Sequence, residues 1–270
     1  MASDAFASVL GNIIYPVYLL LGVYVYVSLI RQINARAEAT DEGRTKMFGL
    51  PEAIAAVLLI SWFLVNVLAS IWRPEPALKT RDVIVTVIFT ILIVLVLMAF
   101  LRWRGIDVDA IGGFSKIGVL RAVSMGAVLL FFAYPLINLA DLITQRALGS
   151  GSSRQSIVEL FNGSQTIQQR IMIIVLAVAI APMAEEFVFR FFLYGVLKRY
   201  FGRFVGLTFS ALLFAAVHAH LPSFAPLFVL AACFTIAYEW SGSILASMAM
   251  HCLFNSLTLT ALAFPQLSGQ

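Results

Sequence analysis

The sequence predicts an all-α protein: a polytopic membrane helix bundle of about eight transmembrane helices, forming a single integral membrane domain over residues 1–270. Composition is the first reason, because 61% of the residues are hydrophobic and only 12% are charged, against about 25% charged in a soluble domain. Mean hydropathy, at +0.95, is the second. The third is that apolar residues form segments near the roughly 20 residues that a helix needs to cross a bilayer. These segments fill most of the chain, which excludes a separate soluble domain.

Eight segments are candidate spans. They lie near residues 7–30, 51–72, 83–101, 119–140, 171–198, 204–220, 224–240 and 243–264. Those within residues 1–140 are plain N-terminal spans, such as VIVTVIFTILIVLVLMAFL, which is apolar on all sides and suits lipid contact. Between the third and fourth spans, RWRGIDVDAIGGFSKIG predicts an interfacial turn or short helix. Later, GSGSSRQSIVELFNGSQTIQQR predicts loops that flank a short helix at SIVELF.

Basic residues divide unevenly between the two sides of this bundle. The loops after spans 1, 3, 5 and 7 share one side and hold eleven Lys and Arg residues, against six on the other side. Basic loops favour the cytoplasm, so we expect both termini outside. This bias explains the net charge of +4, and we expect a lipid bilayer and no nucleic acid as partner. The compact chain favours a prokaryotic plasma membrane. The eleven are Arg31, Arg36, Arg44, Lys46, Arg102, Arg104, Lys116, Arg121, Lys198, Arg199 and Arg203.

Polar side chains that could take part in catalysis are concentrated in the last third of the chain. A charged side chain at the bilayer centre costs at least about 2.5–3.5 kcal/mol, so such residues usually face the bundle interior or a water-filled cavity. The pattern therefore predicts a functional site among the C-terminal spans. Its candidate residues are Glu185, Glu186, Arg190, His218, His251 and Asn255.

The stretch APMAEEFVFR places two carboxylates and a guanidinium inside one span. Glu186 and Arg190 are four residues apart, with the acid first, which favours an ion pair on one helix face. Glu185 is rotated by about 100° from Glu186, so its carboxylate is expected to point elsewhere and to serve as a general base. Pro182 is expected to bend the helix. The alternative is an ion pair that only holds spans together.

Two further motifs supply imidazoles and an amide. In a continuous helix, His218 and His220 would point to different faces, and we favour His218 for chemistry because His220 adjoins the exit at Leu221 and Pro222. His251 and Asn255 are four residues apart and present two hydrogen-bond donors along one face. Such donors can stabilise an oxyanion, although a polar pair can also simply join helices.

Together these groups predict peptide hydrolysis. A carboxylate and an imidazole activate water, two donors receive the carbonyl oxygen, and an ion pair supports the site. No serine stands in a GxSxG setting, and HExxH is absent.

The motifs resemble those of the CPBP intramembrane proteases, also called the CAAX protease, bacteriocin-processing or Abi family. Glu185 and Glu186 followed by Arg190 match the first motif, Phe214 and His218 the second, and His251 and Asn255 the third. They occur in order on separate spans, within about residues 170–260.

This resemblance implies a role for each residue and a kind of substrate. Glu185 and His218 would activate water, His251 and Asn255 would form the oxyanion hole, and Glu186 with Arg190 would support them. The substrate would be a membrane-associated protein or peptide, prenylated in some family members. The family is often labelled metalloprotease. The sequence leaves open whether a divalent metal such as zinc is bound; if so, Glu185, His218 and His251 would hold it.

Two other classes of function fit single motifs. Chains of Glu and His inside a membrane also serve as proton relays in transporters and channels, and a non-catalytic membrane scaffold would keep buried polar pairs for packing. Neither class requires all three motifs together, which favours the protease.

Overall fold

The computed structural model describes residues 2–40, 48–72, 80–148, 163–164 and 166–263. The helix predicted at SIVELF lies outside these ranges. Within them every regular element is a helix, as predicted. The α-helices are α1 (Ala2–Thr40), α2 (Leu50–Ile71), α3 (Thr80–Trp103), α4 (Val108–Gly112), α5 (Val119–Leu148), α6 (Ile167–Val175), α7 (Ala181–Glu186), α8 (Tyr194–Val217), α9 (Phe224–Ser241) and α10 (Ile244–Ala263).

The chain from α6 to α8 is the longest helical stretch and forms two spans. Its 51 residues, Ile167–Val217, would extend about 77 Å as one helix, far beyond a hydrocarbon core of about 30 Å. Gly202 divides it, with φ 81° and ψ 170°, a left-handed conformation that glycine adopts without steric penalty. The halves pack antiparallel, and Ser210 Oγ donates to the carbonyl oxygen of Phe189 at 2.9 Å.

Six further helices in the described ranges are long and apolar enough to span a membrane. With the divided α6–α8 stretch, this gives the eight spans predicted from the sequence. The chain is an integral membrane protein with an all-α polytopic bundle.

The spans differ in how much of their surface is buried, and this difference distinguishes peripheral spans from central ones. In its most apolar stretch, α2 has 6% of its residues buried, whereas the segment that contains α9 has 56% buried. The core is formed largely by α5, α8, α9, α10 and the π-helix Phe187–Leu193. The spans α1, α2 and α3 thus form the periphery, while α5 and the C-terminal spans form the core that encloses the polar residues.

Many of the predicted basic loop residues meet at one end of the bundle, which we call the basic end. It joins the C-terminal ends of α1 and α9, the start of α2, the α3–α5 connection and the Gly202 turn. The short helix predicted in this connection is α4, capped by Asp107. Arg44 and Lys46 lie outside the described residues, and the cytoplasmic orientation stays a prediction. The joining contacts are Arg36 Nη1 to Trp240 O (3.1 Å), Arg203 Nη1 to Asn34 Oδ1 (3.0 Å), Arg104 Nε to Glu52 Oε1 (2.9 Å) and Lys198 Nζ to Glu239 Oε1 (2.9 Å).

Candidate active site

The centre of the site is the predicted Glu186–Arg190 ion pair. Arg190 Nη1 lies 2.9 Å from Glu186 Oε1, and the two side chains are 1% and 0% exposed. The guanidinium lies over two aromatic rings, 4.2 Å from the Phe214 centroid and 5.1 Å from that of Phe234. Its Nη2 also donates to the carbonyl oxygen of Ala231 at 3.3 Å. The buried arginine is therefore held by charge, by π contacts and by a hydrogen bond.

Both carboxylates of the first motif approach the same imidazole. His251 Nδ1 is 3.0 Å from Glu186 Oε1, and His251 Nε2 is 3.9 Å from Glu185 Oε2. The sequence indicated that Glu185 would point away from Glu186. The structure shows instead that carboxylates from neighbouring positions on α7 can flank opposite nitrogens of a ring carried by α10. Of the two, only Glu185 is accessible, with 27% of its side chain exposed.

The orientation of His251 is set by charge and by aromatic packing. Its ring stacks on Phe234 at 4.7 Å between centroids and meets Phe214 edge-on at 5.7 Å. Glu186 is paired with Arg190 as a carboxylate, which only accepts hydrogen bonds. His251 Nδ1 therefore carries a proton and donates a hydrogen bond to Glu186 Oε1. Nε2 is the nitrogen left on the side of Glu185.

The second motif is arranged by a helix end rather than by a continuous helix. The α8 helix ends at Val217, with His218 as its C-cap, so the predicted helix through residue 220 is wrong. Ala219 has a positive φ of 51°, and it turns the chain before His220. That histidine contacts Ser223 Oγ through Nδ1 at 2.8 Å. The two imidazoles thus have different partners, as expected, because the chain turns between them.

His218 is fixed by its own helix and lies beside the cluster formed by Glu186, Arg190 and His251. Its Nδ1 is 2.7 Å from the carbonyl oxygen of Phe214, and its ring is 4.8 Å from the Phe214 ring. Since a carbonyl only accepts, Nδ1 carries the proton and Nε2 keeps the lone pair. Among the described residues, no hydrogen bond or ion pair joins Glu185 to His218. The ring of Phe214 contacts all three of His218, Arg190 and His251.

The side chain of Asn255 contacts an unusual backbone segment just before the first motif. The segment Leu176–Ile180 is a π-helix, in which Ala181 N–H donates to the carbonyl oxygen of Leu176, five residues back. In this register the next donor to Ala177 would be residue 182, which is proline and has no N–H. Asn255 Nδ2 supplies the missing bond at 2.7 Å. The bend expected at Pro182 therefore takes the form of a π-helical segment, a feature often found at functional sites.

Three residues that contact the site residues were not predicted from the sequence: Ala177, Ala231 and Phe234. Ala177 did have a signal in the sequence, because Pro182, five residues later, cannot donate a hydrogen bond to its carbonyl oxygen. Phe234 and Ala231 gave no signal, because α9 is apolar on all sides and nothing in its pattern selects the face that meets Arg190.

The proposed metal ligands do not fit a resident metal ion in this arrangement. Within the described part of the chain, no three His, Cys, Asp or Glu side chains are grouped so as to hold one. Glu185, His218 and His251 therefore form no three-ligand site here.

Comparison with known proteins finds a family model that matches the C-terminal part of the chain. Residues 167–257 match the family described as type II CAAX prenyl endopeptidase Rce1-like, and this range contains all three motifs. No curated protein and no solved structure gave a significant match. The resemblance to CPBP and CAAX proteases predicted from the motifs is confirmed. The part of the chain that carries the candidate site, residues 167–257, is therefore similar to the type II CAAX prenyl endopeptidases described as Rce1-like.

Proposed function

We propose that this protein hydrolyses a peptide bond of a membrane-associated protein or peptide, with a water molecule activated by Glu185 and His218. The observation that carries the proposal is the asymmetry of the two carboxylates. Glu186 is fully buried and paired, whereas Glu185 is partly exposed beside it. A base must meet both substrate and water, and Glu185 is the carboxylate of the pair that can do so.

The reaction begins with proton transfer from water to the Glu185 carboxylate. The water oxygen attacks the carbonyl carbon of the scissile bond, and the electron pair of the C=O bond moves to oxygen. Protonated Glu185 then returns the proton to the amide nitrogen as the C–N bond breaks. His218 Nε2, which keeps its lone pair, accepts a hydrogen bond from the same water and orients it for attack.

The negative oxygen formed in this step needs donors that are already in place. We assign the first to Nε2–H of His251 in its protonated form. With His251 protonated, two carboxylates face one guanidinium and one imidazolium, so the formal charges of the cluster cancel. The second donor is the N–H of Asn255 that Ala177 does not use. The bond to Ala177 fixes the amide in position for this role.

The test is cleavage by the purified full-length protein in proteoliposomes. A quenched fluorescent peptide with a prenylated cysteine near its C-terminus is the first probe, and the unprenylated peptide is the second. Cleavage of either supports a protease, and the ratio of rates measures the contribution of the lipid group. Because no three His, Cys, Asp or Glu side chains in the described ranges are grouped to hold a metal ion, we expect the rate to persist in the presence of chelator. Loss of activity that zinc restores would contradict this, and proton flux without cleavage would favour the transporter.

His218 and His220 provide a matched pair in that assay. His218→Ala should lower kcat by about 100-fold or more, the scale of general acid–base contributions, while His220→Ala should stay within about threefold of wild type. The reason is that His218 contacts Phe214 within the cluster, whereas His220 contacts Ser223 beyond the turn at Ala219. The reverse ranking would show that the second motif is misassigned. Folded yield of both variants serves as the control.

We also propose a prokaryotic plasma membrane as the location, which the compactness of the chain favours.

A further inference from the structure

A cavity at the basic end shares no residue with the catalytic cluster. It has a volume of about 400 Å³, within the range of small-molecule sites, and it lies between α1, the connection before α5, and the end of α9. We propose that this cavity binds the phosphate of an anionic phospholipid headgroup. The proposal is independent of the proteolytic function. Its lining residues are Arg36, Lys116, Ile117, Arg121, Met125, Trp240 and Ser241.

The charge of the cavity lining has one sign. Among the described residues that line it, three of seven are cationic and none is acidic. The acid nearest in sequence to Trp240 is Glu239, which already pairs with Lys198 and Arg203 at 2.9 and 3.1 Å. These two partners neutralise Glu239 outside the cavity. The cavity therefore presents positive charge to any group that enters it.

One wall of the cavity is fixed by contacts between α1 and α9. Arg36 Nη1 donates to the carbonyl oxygen of Trp240 at 3.1 Å, and Trp240 Nε1 donates to Gln32 Oε1 at 3.0 Å. Lys116 and Arg121 approach from another element, one just before α5 and the other in its first turn. Cations are thus brought together from α1, from the turn before α5 and from α5 itself. Basic pockets between transmembrane helices bind lipid headgroups in this way.

The surroundings favour a lipid over a soluble anion. Val119 and Leu120 lie in sequence between the cavity residues Ile117 and Arg121, and they are 73% and 82% exposed. Apolar side chains at such a position suit contact with acyl chains. Trp240 adds an amphipathic ring of the kind found at membrane interfaces. A headgroup with attached chains uses both the cations and this apolar surface, whereas free phosphate would use only the cations.

The test uses the fluorescence of Trp240 in the full-length chain. Trp62→Phe, Trp72→Phe and Trp103→Phe leave Trp240 as the sole tryptophan. The protein is placed in phosphatidylcholine vesicles containing brominated phosphatidylglycerol, with brominated phosphatidylcholine as reference, and quenching gives the relative binding constant. We expect a preference for phosphatidylglycerol of about fivefold or more, since each basic residue near an anionic surface contributes roughly 1 kcal/mol.

Variants of two cavity cations distinguish a site from general surface charge. Lys116→Gln with Arg121→Gln should remove the preference. The matched control is Arg102→Gln with Arg199→Gln, which removes the same charge from the same end but outside the cavity and should preserve the preference. The swap Lys116→Arg with Arg121→Lys keeps the charge and should preserve it too, which guards against a folding artefact.

Three results would overturn the proposal. One is wild-type protein without a preference for phosphatidylglycerol. Another is equal loss in the cavity and control pairs, which would indicate diffuse attraction to the surface. The third is reversal of the preference by inorganic phosphate beyond the effect of sodium chloride at the same ionic strength. That last result would identify a site for a soluble anion.

Discussion

Glu185→Gln is expected to lower kcat by about 1,000-fold, within the range for loss of a general base, while the protein keeps its fold. Glutamine has nearly the same volume as glutamate but cannot take a proton from water. The side chain is partly exposed, and within the described part of the chain its ion-pair contact is to His251 Nε2 at 3.9 Å. Its replacement therefore removes the proton acceptor and leaves no strongly paired buried group without its partner.

The measurement is single-turnover cleavage in proteoliposomes, with the thermal unfolding midpoint recorded on the same sample. Glu186→Gln is the matched comparison, because it changes the adjacent residue in the same way. That variant leaves Arg190 buried without its carboxylate, so it should lose folded yield as well as activity. If Glu185→Gln cleaves at the wild-type rate, Glu185 is not the base and the mechanism fails.

Arg190→Ala is expected to reduce the free energy of unfolding by about 3–5 kcal/mol, the cost of leaving a buried charge without its partner. Glu186 would lose the guanidinium 2.9 Å away, and Ala231 would lose its donor. The rings of Phe214 and Phe234 would face a cavity where the guanidinium now lies. A loss of this size can abolish folding, so a conservative variant is measured beside it.

Arg190→Lys keeps the charge but not the flat group that contacts both rings, so its stability should fall between wild type and Arg190→Ala. Arg203→Ala is the control for loss of an arginine from an acidic partner. Glu239 keeps Lys198 there, so the loss should stay within about 1 kcal/mol. Chemical unfolding in detergent gives all three values. An Arg190→Ala protein as stable as the Arg203→Ala control would mean that Glu186 is hydrated or protonated in the fold.

The features that could be predicted from the sequence are those with a local physical cause. Hydropathy identifies the spans because transfer into lipid depends on each segment's own side chains. The Glu186–Arg190 pair follows from the spacing of neighbours on one helix, and it lies where expected. The separation of the fifth and sixth spans was also evident from segment lengths, and Gly202 makes the turn. The basic residues at one end follow from the alternation of loops.

The tertiary structure alone decided how the motifs meet. An apolar helix such as α9 has no amphipathic pattern, so its sequence does not indicate which face carries Phe234 and Ala231 toward Arg190. The placement of His251 between two carboxylates depends on packing of α10 against α7, across 65 residues of chain. The partner of Asn255 depends on the π-helical segment Leu176–Ile180, in which the carbonyl oxygen of Ala177 accepts from a side chain of another helix. Local spacing determines a pair on one helix, whereas a site built from several helices depends on packing between distant segments.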